Sequence, residues 1–197
     1  MSEFFAALGA AIIALAGQHL LNHFDRKKAA RYLAIRTVCI FDKYLASCTE
    51  VVGDSGEPDQ DGFTYPSVNL PNVPTFPDDV DWKSIDHPLM YDILSFPSDV
   101  VAANESIAHD WDMNYDPPDF SDNFEYRAKH YARLGLQAHA LAKRLRTKYD
   151  IQEKVYDRWN PASYLEEKLK EIEDRQERRY KNLPPMPPAA APEKVEE

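Results

Sequence analysis

Apolar residues recur at helical spacing along most of this chain, and the longest unbroken apolar run comes first. Phe4 to Phe24 reads FFAALGAAIIALAGQHLLNHF and passes directly into DRKKAAR. Only Phe4 to Gly17, fourteen residues, is free of polar side chains, which is short for a bilayer span. Gln18, His19, Asn22 and His23 fall in the last two turns, where polar groups reach the lipid–water interface. Counted through to Phe24, the run spans about 31 Å, close to the hydrocarbon thickness of a bilayer. Phe4, Phe5, Leu8, Ile12, Ile13, Leu15, Leu20 and Leu21 would supply the lipid-facing surface. Arg26, Lys27, Lys28 and Arg31 follow immediately, so the positive-inside bias retains the downstream chain in the cytoplasm and puts the N-terminus outside. Two other readings compete, a cleaved secretion signal and a core or interfacial helix. MSEFF, with Glu3 as its single charge, lacks the positive start of a signal, although Ala14-Leu15-Ala16 resembles a cleavage site. The expectation is a single-pass anchor. Ala6, Ala10, Ala14 and Gly17 lie along one strip of it, a pattern that permits self-association and that alanine's helix propensity also explains.

No proline interrupts Phe4 to Val52, so the same helix should continue beyond the membrane. Its second half carries Ala34, Val38, Phe41, Leu45, Cys48 and Val52 at steps of four and three, an apolar stripe that requires a helical partner. Gly53 and Asp54 end it. Asp86 marks the start of a short helix to about Ser95, and Pro97 opens another to about Asn114, with Val100, Val101, Ile107 and Trp111 as its apolar side. After the turn NYDPPDF, Ser121 or Asp122 caps a long helix to about Tyr149, and Asp122 with Glu125 has capping-box spacing. Phe124, Ala128, Tyr131, Gly135, Ala138, Ala142, Leu145 and Tyr149, widened by Leu134 and Leu141, make it the natural partner of the first stripe. Asn160 and Pro161 start a charged helix to about Lys181 with a thin stripe of Leu165, Leu169 and Ile172. Glu166 with Lys170, Glu171 with Arg175 and Asp174 with Arg178 would pair along its surface, and the helix should lie on the surface or project.

Between these elements, residues 53–80 hold five prolines and three glycines and show no sustained period, which reads as a long connection. Its piece DSGEPDQDG lacks the register and closing glutamate of a calcium loop and reads as a solvated acidic loop. YPSVNLPNVPTFP, with Tyr65, Val68, Leu70, Val73 and Phe76 between prolines, reads as extended chain pinned across a helical surface. The ending LPPMPPAAAPEKVEE is an extended proline-rich tail with PxxP spacing.

Charge sharpens this picture. The chain of 197 residues has a net charge of −10 and a pI near 5.1, which argues against broad nucleic-acid binding. Residues 53–125 hold one cation, Lys83, against seventeen carboxylates, whereas residues 126–183 hold fifteen cations against nine. An acidic middle followed by a basic helix implies intramolecular complementarity first and recruitment of a partner second. Lys143, Arg144, Arg146 and Lys148 gather where the long helix ends. They suit the negative end of its dipole, or anionic headgroups if that end faces the membrane. Cys39 and Cys48 would sit about 13 Å apart on one helix, too far for a disulfide, and read as small buried apolar residues.

Catalytic signatures are missing. Six glycines form neither G-x-G-x-x-G nor a P-loop, and G-x-S-x-G does not occur. The best local set of possible metal ligands is Glu105, His109 and Asp112, one helical turn apart; chance proximity on an acidic helix accounts for it as well. His19 and His23 are too few ligands for a metal. No cofactor is expected.

Ala29 to Gly56, AARYLAIRTVCIFDKYLASCTEVVGDSG, together with Asp79 to Asp86, DVDWKSID, resembles a set of uncharacterised bacterial proteins with a short N-terminal membrane anchor. The resemblance implies an inner-membrane protein with a helical cytoplasmic part and brings no activity.

These readings combine into an all-α expectation. Residues 1–25 form an anchor that extends into a cytoplasmic bundle of about four helices over 26–160, including the acidic connection 53–80. A charged helix follows over 161–183 and a tail over 184–197. The function expected is a non-enzymatic interaction or scaffold module. Its partners would be membrane lipid, an unidentified protein and a second copy through the anchor. A metal-binding or catalytic bundle using Glu105, His109 and Asp112 is the alternative.

Overall fold

The computed structural model describes residues 2–60, 62–114 and 120–182; the side chains of residues 2–16 and of Leu20 fall outside the description. Four α-helices pack as a bundle: α1 Ser2–Val52, α2 His87–Met113, α3 Ser121–Tyr149 and α4 Pro161–Lys181. Two strands of two residues each, β1 Glu57–Pro58 and β2 Thr64–Tyr65, pair antiparallel in the acidic connection. A single 3-10 turn at Trp82–Ser84 precedes α2.

Helix α1 runs 51 residues without interruption, as its lack of breakers predicts. Among the described residues no helix is long and apolar enough to cross a membrane. The apolar run that carries the anchor expectation lies mostly where side chains are not described, and the PxxP tail lies wholly outside the described residues. From Ala30 onward α1 is the central element of the bundle. Leu33, Ala34, Val38, Phe41, Leu45, Cys48 and Val51 are buried, and α3 is its main partner. On α3 the facing residues are Tyr131, Leu134, Gly135, Ala138, Leu141, Ala142 and Leu145. The two stripes find each other as their periodicity requires.

Helix α2 departs from expectation. It is one helix of 27 residues with Pro97 inside it, not two helices meeting there. Proline lacks the N–H that would bond the Ile93 carbonyl, a cost of about 3 kcal/mol in a helix interior. Burial on both sides offsets that cost: Leu89, Ile93, Phe96, Val100, Ala103 and Ile107 form one continuous buried face. Phe96 sets the edge-to-face contacts of this face, with ring centroids 5.3 Å from both Phe41 and Tyr44 of α1. Because the phase of the face is fixed from Leu89, Val101 turns outward and is exposed. Asp86 takes the N-cap position but its side chain makes no capping bond; it pairs with Lys148 Nζ at 2.5 Å.

At the start of α3, neither Ser121 nor Asp122 is the cap. Phe120 holds that position, buried against Trp111 at 5.4 Å between ring centroids, so apolar packing fixes the entry of the helix. Helix α4 does begin as expected, with Asn160 Oδ1 accepting from the Ala162 and Ser163 amides at 2.9 and 3.4 Å. It does not project. Leu165 and Ile172 are buried against the bundle; Arg175 and Arg179 reach across to α3, while the ion pairs within the helix are Lys168 with Glu171 and Lys181 with Glu177. The connection behaves as pinned chain: Val68, Leu70, Val73 and Phe76 are partly buried on the core, and Phe76 packs edge-on to Phe41 at 5.5 Å.

At Gly135 of α3, residues of α1 and α4 crowd against the backbone. A Cβ there would collide with Leu165 Cδ1 and lie 2.9 Å from Cys48 Cβ. Gly135→Ala is therefore expected to lower stability by about 1–3 kcal/mol through overpacking. Chemical denaturation checks this, and an unchanged midpoint would show that the crossing can widen freely.

Candidate functional site

The deepest charged group lies in the segment expected to be a solvated acidic loop. Asp54, two residues past the end of α1, has a fully buried carboxylate paired with Arg127 of α3 at 2.7 Å, and the guanidinium is 3% exposed. Asp54 Oδ1 accepts from the Gly56 amide at 2.9 Å and the Ser67 hydroxyl at 2.6 Å, and Oδ2 from the Val68 amide at 3.0 Å. Arg127 also donates to the Val68 carbonyl. Burial pushes the Asp54 carboxyl up, but the Ser67 hydroxyl, the Arg127 guanidinium and the two amides outweigh it. They hold the group well below the usual carboxylate range. This constellation folds the connection onto α3; every acceptor on the carboxylate is occupied, and the arrangement is structural.

A second carboxylate sits near the same end of the bundle. Glu125, buried on α3, takes Arg175 Nε and Arg179 at 3.3 Å each and Gln176 Nε2 at 3.1 Å. Arg179 also bonds Asp122. The expected capping box between Asp122 and Glu125 is replaced by these bonds to α4. On the outer surface Arg144 pairs with Asp92 at 2.6 Å, and deeper in, buried Arg146 of α3 pairs with the mostly covered Asp42 of α1 at 2.6 Å. Cations of α3 and α4 thus pair with Asp54, Asp86, Asp92, Asp122 and Glu125 of the acidic middle.

The sequence-nominated ligands are not assembled into a site. Glu105, His109 and Asp112 are all exposed on α2, and among the described residues no three His, Cys, Asp or Glu side chains are grouped to hold a metal. Both cysteines are free, but only Cys48 is buried; Cys39, expected inside, is exposed. Burial pushes the Cys48 thiol far up, so it stays protonated and unreactive at neutral pH. His130 packs on Tyr126 at 4.6 Å between ring centroids, and its burial, then Arg133 and Lys129, lower its basicity.

The basic flank has structural neighbours that sequence reasoning missed. Arg26, Lys27, Lys28 and Arg31 are exposed on α1. Arg26 donates to the Lys83 carbonyl at 2.8 Å and Arg31 to the Asp150 carbonyl at 3.0 Å. A groove of about 940 Å³ opens there, between α1, the start of α2 and the end of α3. Lys83 and Lys148 join the flank around it, giving six basic side chains against two carboxylates, Asp86 and Asp150. Of the anchor positions, Leu21 is exposed, while Phe4, Phe5, Leu8, Ile12, Ile13, Leu15 and Leu20 lie among the undescribed side chains. Nothing in the spacing of Lys83 or Lys148 signals this meeting, because it depends on how the helices are stacked.

No family model matches this chain, and searches of curated proteins and of solved structures return no match either.

Removing one partner of the Asp54–Arg127 pair strands a buried charge, so Arg127→Ala is expected to cost about 3–5 kcal/mol. A depressed carboxyl contributes stability that is fully present above its unfolded value and is lost as pH falls through the folded one. The gap in denaturation free energy between wild type and Asp54→Asn should accordingly be constant near neutrality and shrink as pH drops below about 4. A gap that does not change with pH would show that the carboxylate is not the ionised partner of Arg127.

Proposed function

We propose that this protein is a single-pass membrane-anchored helical module without enzymatic activity, which holds a rigid bundle close to the cytoplasmic face of a bacterial inner membrane for a protein partner. The observation that carries this reading is the continuity of α1. The helix that forms the centre of the bundle from Ala30 is the same one that extends back through residues 4–24. Its described side chains from Gln18 to Lys28 are exposed, as befits a segment leaving the bundle. The apolar run, the interfacial polar turns and the cations behind them supply the rest. The titratable groups support the non-enzymatic part: the buried carboxylates are saturated by fixed donors, and the exposed His and carboxylate residues of α2 face solvent. Such saturated groups hold structure and have no freedom to move a proton. The exposed acids of α2, Glu105 and Asp112 among them, are the surface offered to a partner.

Cys39 provides the test, since it is exposed on the bundle side of α1. In intact cells a membrane-permeant maleimide should label it, and an impermeant one should not until the cells are lysed. The chain should also stay in the membrane fraction through an alkaline carbonate wash. Labelling of intact cells by the impermeant reagent, or release by carbonate, would sink the proposed topology.

A further inference from the structure

We infer that the groove between the start of α2, the end of α3 and the basic stretch of α1 seats the headgroup of an anionic phospholipid, docking this end of the bundle onto the membrane surface. The inference rests on the anchored reading above and deepens it. In a chain of net charge −10, six basic side chains meet two carboxylates around one groove. They come from three parts of the chain. Arg26 contacts a carbonyl 57 residues away and Arg31 one 119 residues away, so the cluster is built by the fold and is more than the run after an apolar segment. Among the described residues, no ion pair engages Lys27, Lys28 or Lys83.

Position selects the occupant. The groove lies where α1 leaves the bundle toward residues 4–24, and Phe24 and Tyr149 line it beside the cations. A cationic rim over an apolar floor suits an amphiphile: phosphate against lysine and arginine, glycerol and the first methylenes against the rings. Juxtamembrane basic residues attract anionic leaflets in this way, each adding to the attraction. The exposed Leu21 and Phe24 stand one to two turns before Lys28, at the depth where aromatic and aliphatic side chains meet headgroups. Lys83 is the informative residue. It belongs to neither the anchor nor its flank, and only a bundle lying against the membrane brings it to lipid.

Hydrogen–deuterium exchange on the full chain in nanodiscs tests this, using phosphatidylcholine alone and phosphatidylcholine mixed with phosphatidylglycerol. Amides of the 3-10 turn are held only by short local bonds, Ser84 to the Asp81 carbonyl and Lys83 to the Asp81 carboxylate, so they open readily and report on cover. Exchange over 82–89 and 147–151 should slow several-fold in the mixed discs only. Lys83→Glu should abolish the slowing while the chain stays in the disc, and Lys28→Gln, on the other wall, should reduce it. Soluble glycerol phosphate added to phosphatidylcholine discs should slow nothing. Equal exchange in both lipids, slowing by glycerol phosphate alone, or an unaffected Lys83→Glu overturns the inference and leaves the anchor standing. Failure of the chain to copurify with either disc overturns the anchor, and the inference with it.

Discussion

Close approach of α1 to α3 is the constraint on which the rest of this structure depends. Gly135 faces Cys48 with no room for a methyl group between the helices, and Ala138 and Ala142 continue the small-residue surface along α3. Bulk comes from the other side of the seam, where Phe41 and Leu45 of α1 are buried, with Tyr131 on α3 filling the space above. Large residues facing small ones let the backbones approach while keeping core density. Helix α4 exploits the same gap, since Leu165 reaches Gly135. Helix α2 covers the remaining side through Phe96 on Phe41 and Tyr44. Each later element is thus placed by a feature of the first seam.

Electrostatics then decide how the acidic half of the chain lies on that seam. Seventeen carboxylates against one lysine in residues 53–125 would repel one another in an isolated segment. Arg127 draws the connection in at Asp54, Arg144 and Lys148 hold α2 at Asp92 and Asp86, and the α4 arginines close on Glu125. The exposed pairs contribute at most about 1 kcal/mol each. The Asp54–Arg127 pair differs because both groups are buried and hydrogen-bonded to backbone, so breaking it leaves an uncompensated charge. It specifies where the connection turns, which periodicity could not do for a segment without a period.

What was legible in the residues follows the same division. The stripes on α1 and α3, the cap at Asn160 and the complementarity of the charge blocks are written in spacing and composition, and they recur in the fold. Three readings failed where tertiary packing outweighed a local rule. Pro97 should break a helix, yet it sits inside α2 because Ile93, Phe96 and Val100 are all buried around it. Ser121 and Asp122 have the chemistry of caps, but Phe120, packed on Trp111, takes the cap position. Asp54 looked solvated among its acidic neighbours, and its partner lies 73 residues away. Contacts at that separation are fixed by the stacking of helices and leave no trace in a local window. The same holds for the basic groove, whose walls come from three distant segments.

Rigidity links the two ends of α1. From Gln18 to Val52 the helix has neither proline nor glycine, so a tilt imposed at its start is carried into the bundle without a hinge. The only described non-glycine residue with positive φ, Asp150 at 50°, closes α3 in the left-handed conformation at this same end. Such a conformation costs about 1 kcal/mol outside glycine, and Arg31 bonds its carbonyl at 3.0 Å. Arg26 does likewise for Lys83. Two arginines of the basic flank therefore spend their hydrogen bonds on backbone carbonyls of the bundle end, fixing its angle to α1, while Lys27, Lys28 and Lys83 keep their charges for whatever lies beyond it. The arginine fork suits the first task and the lysine point charge the second.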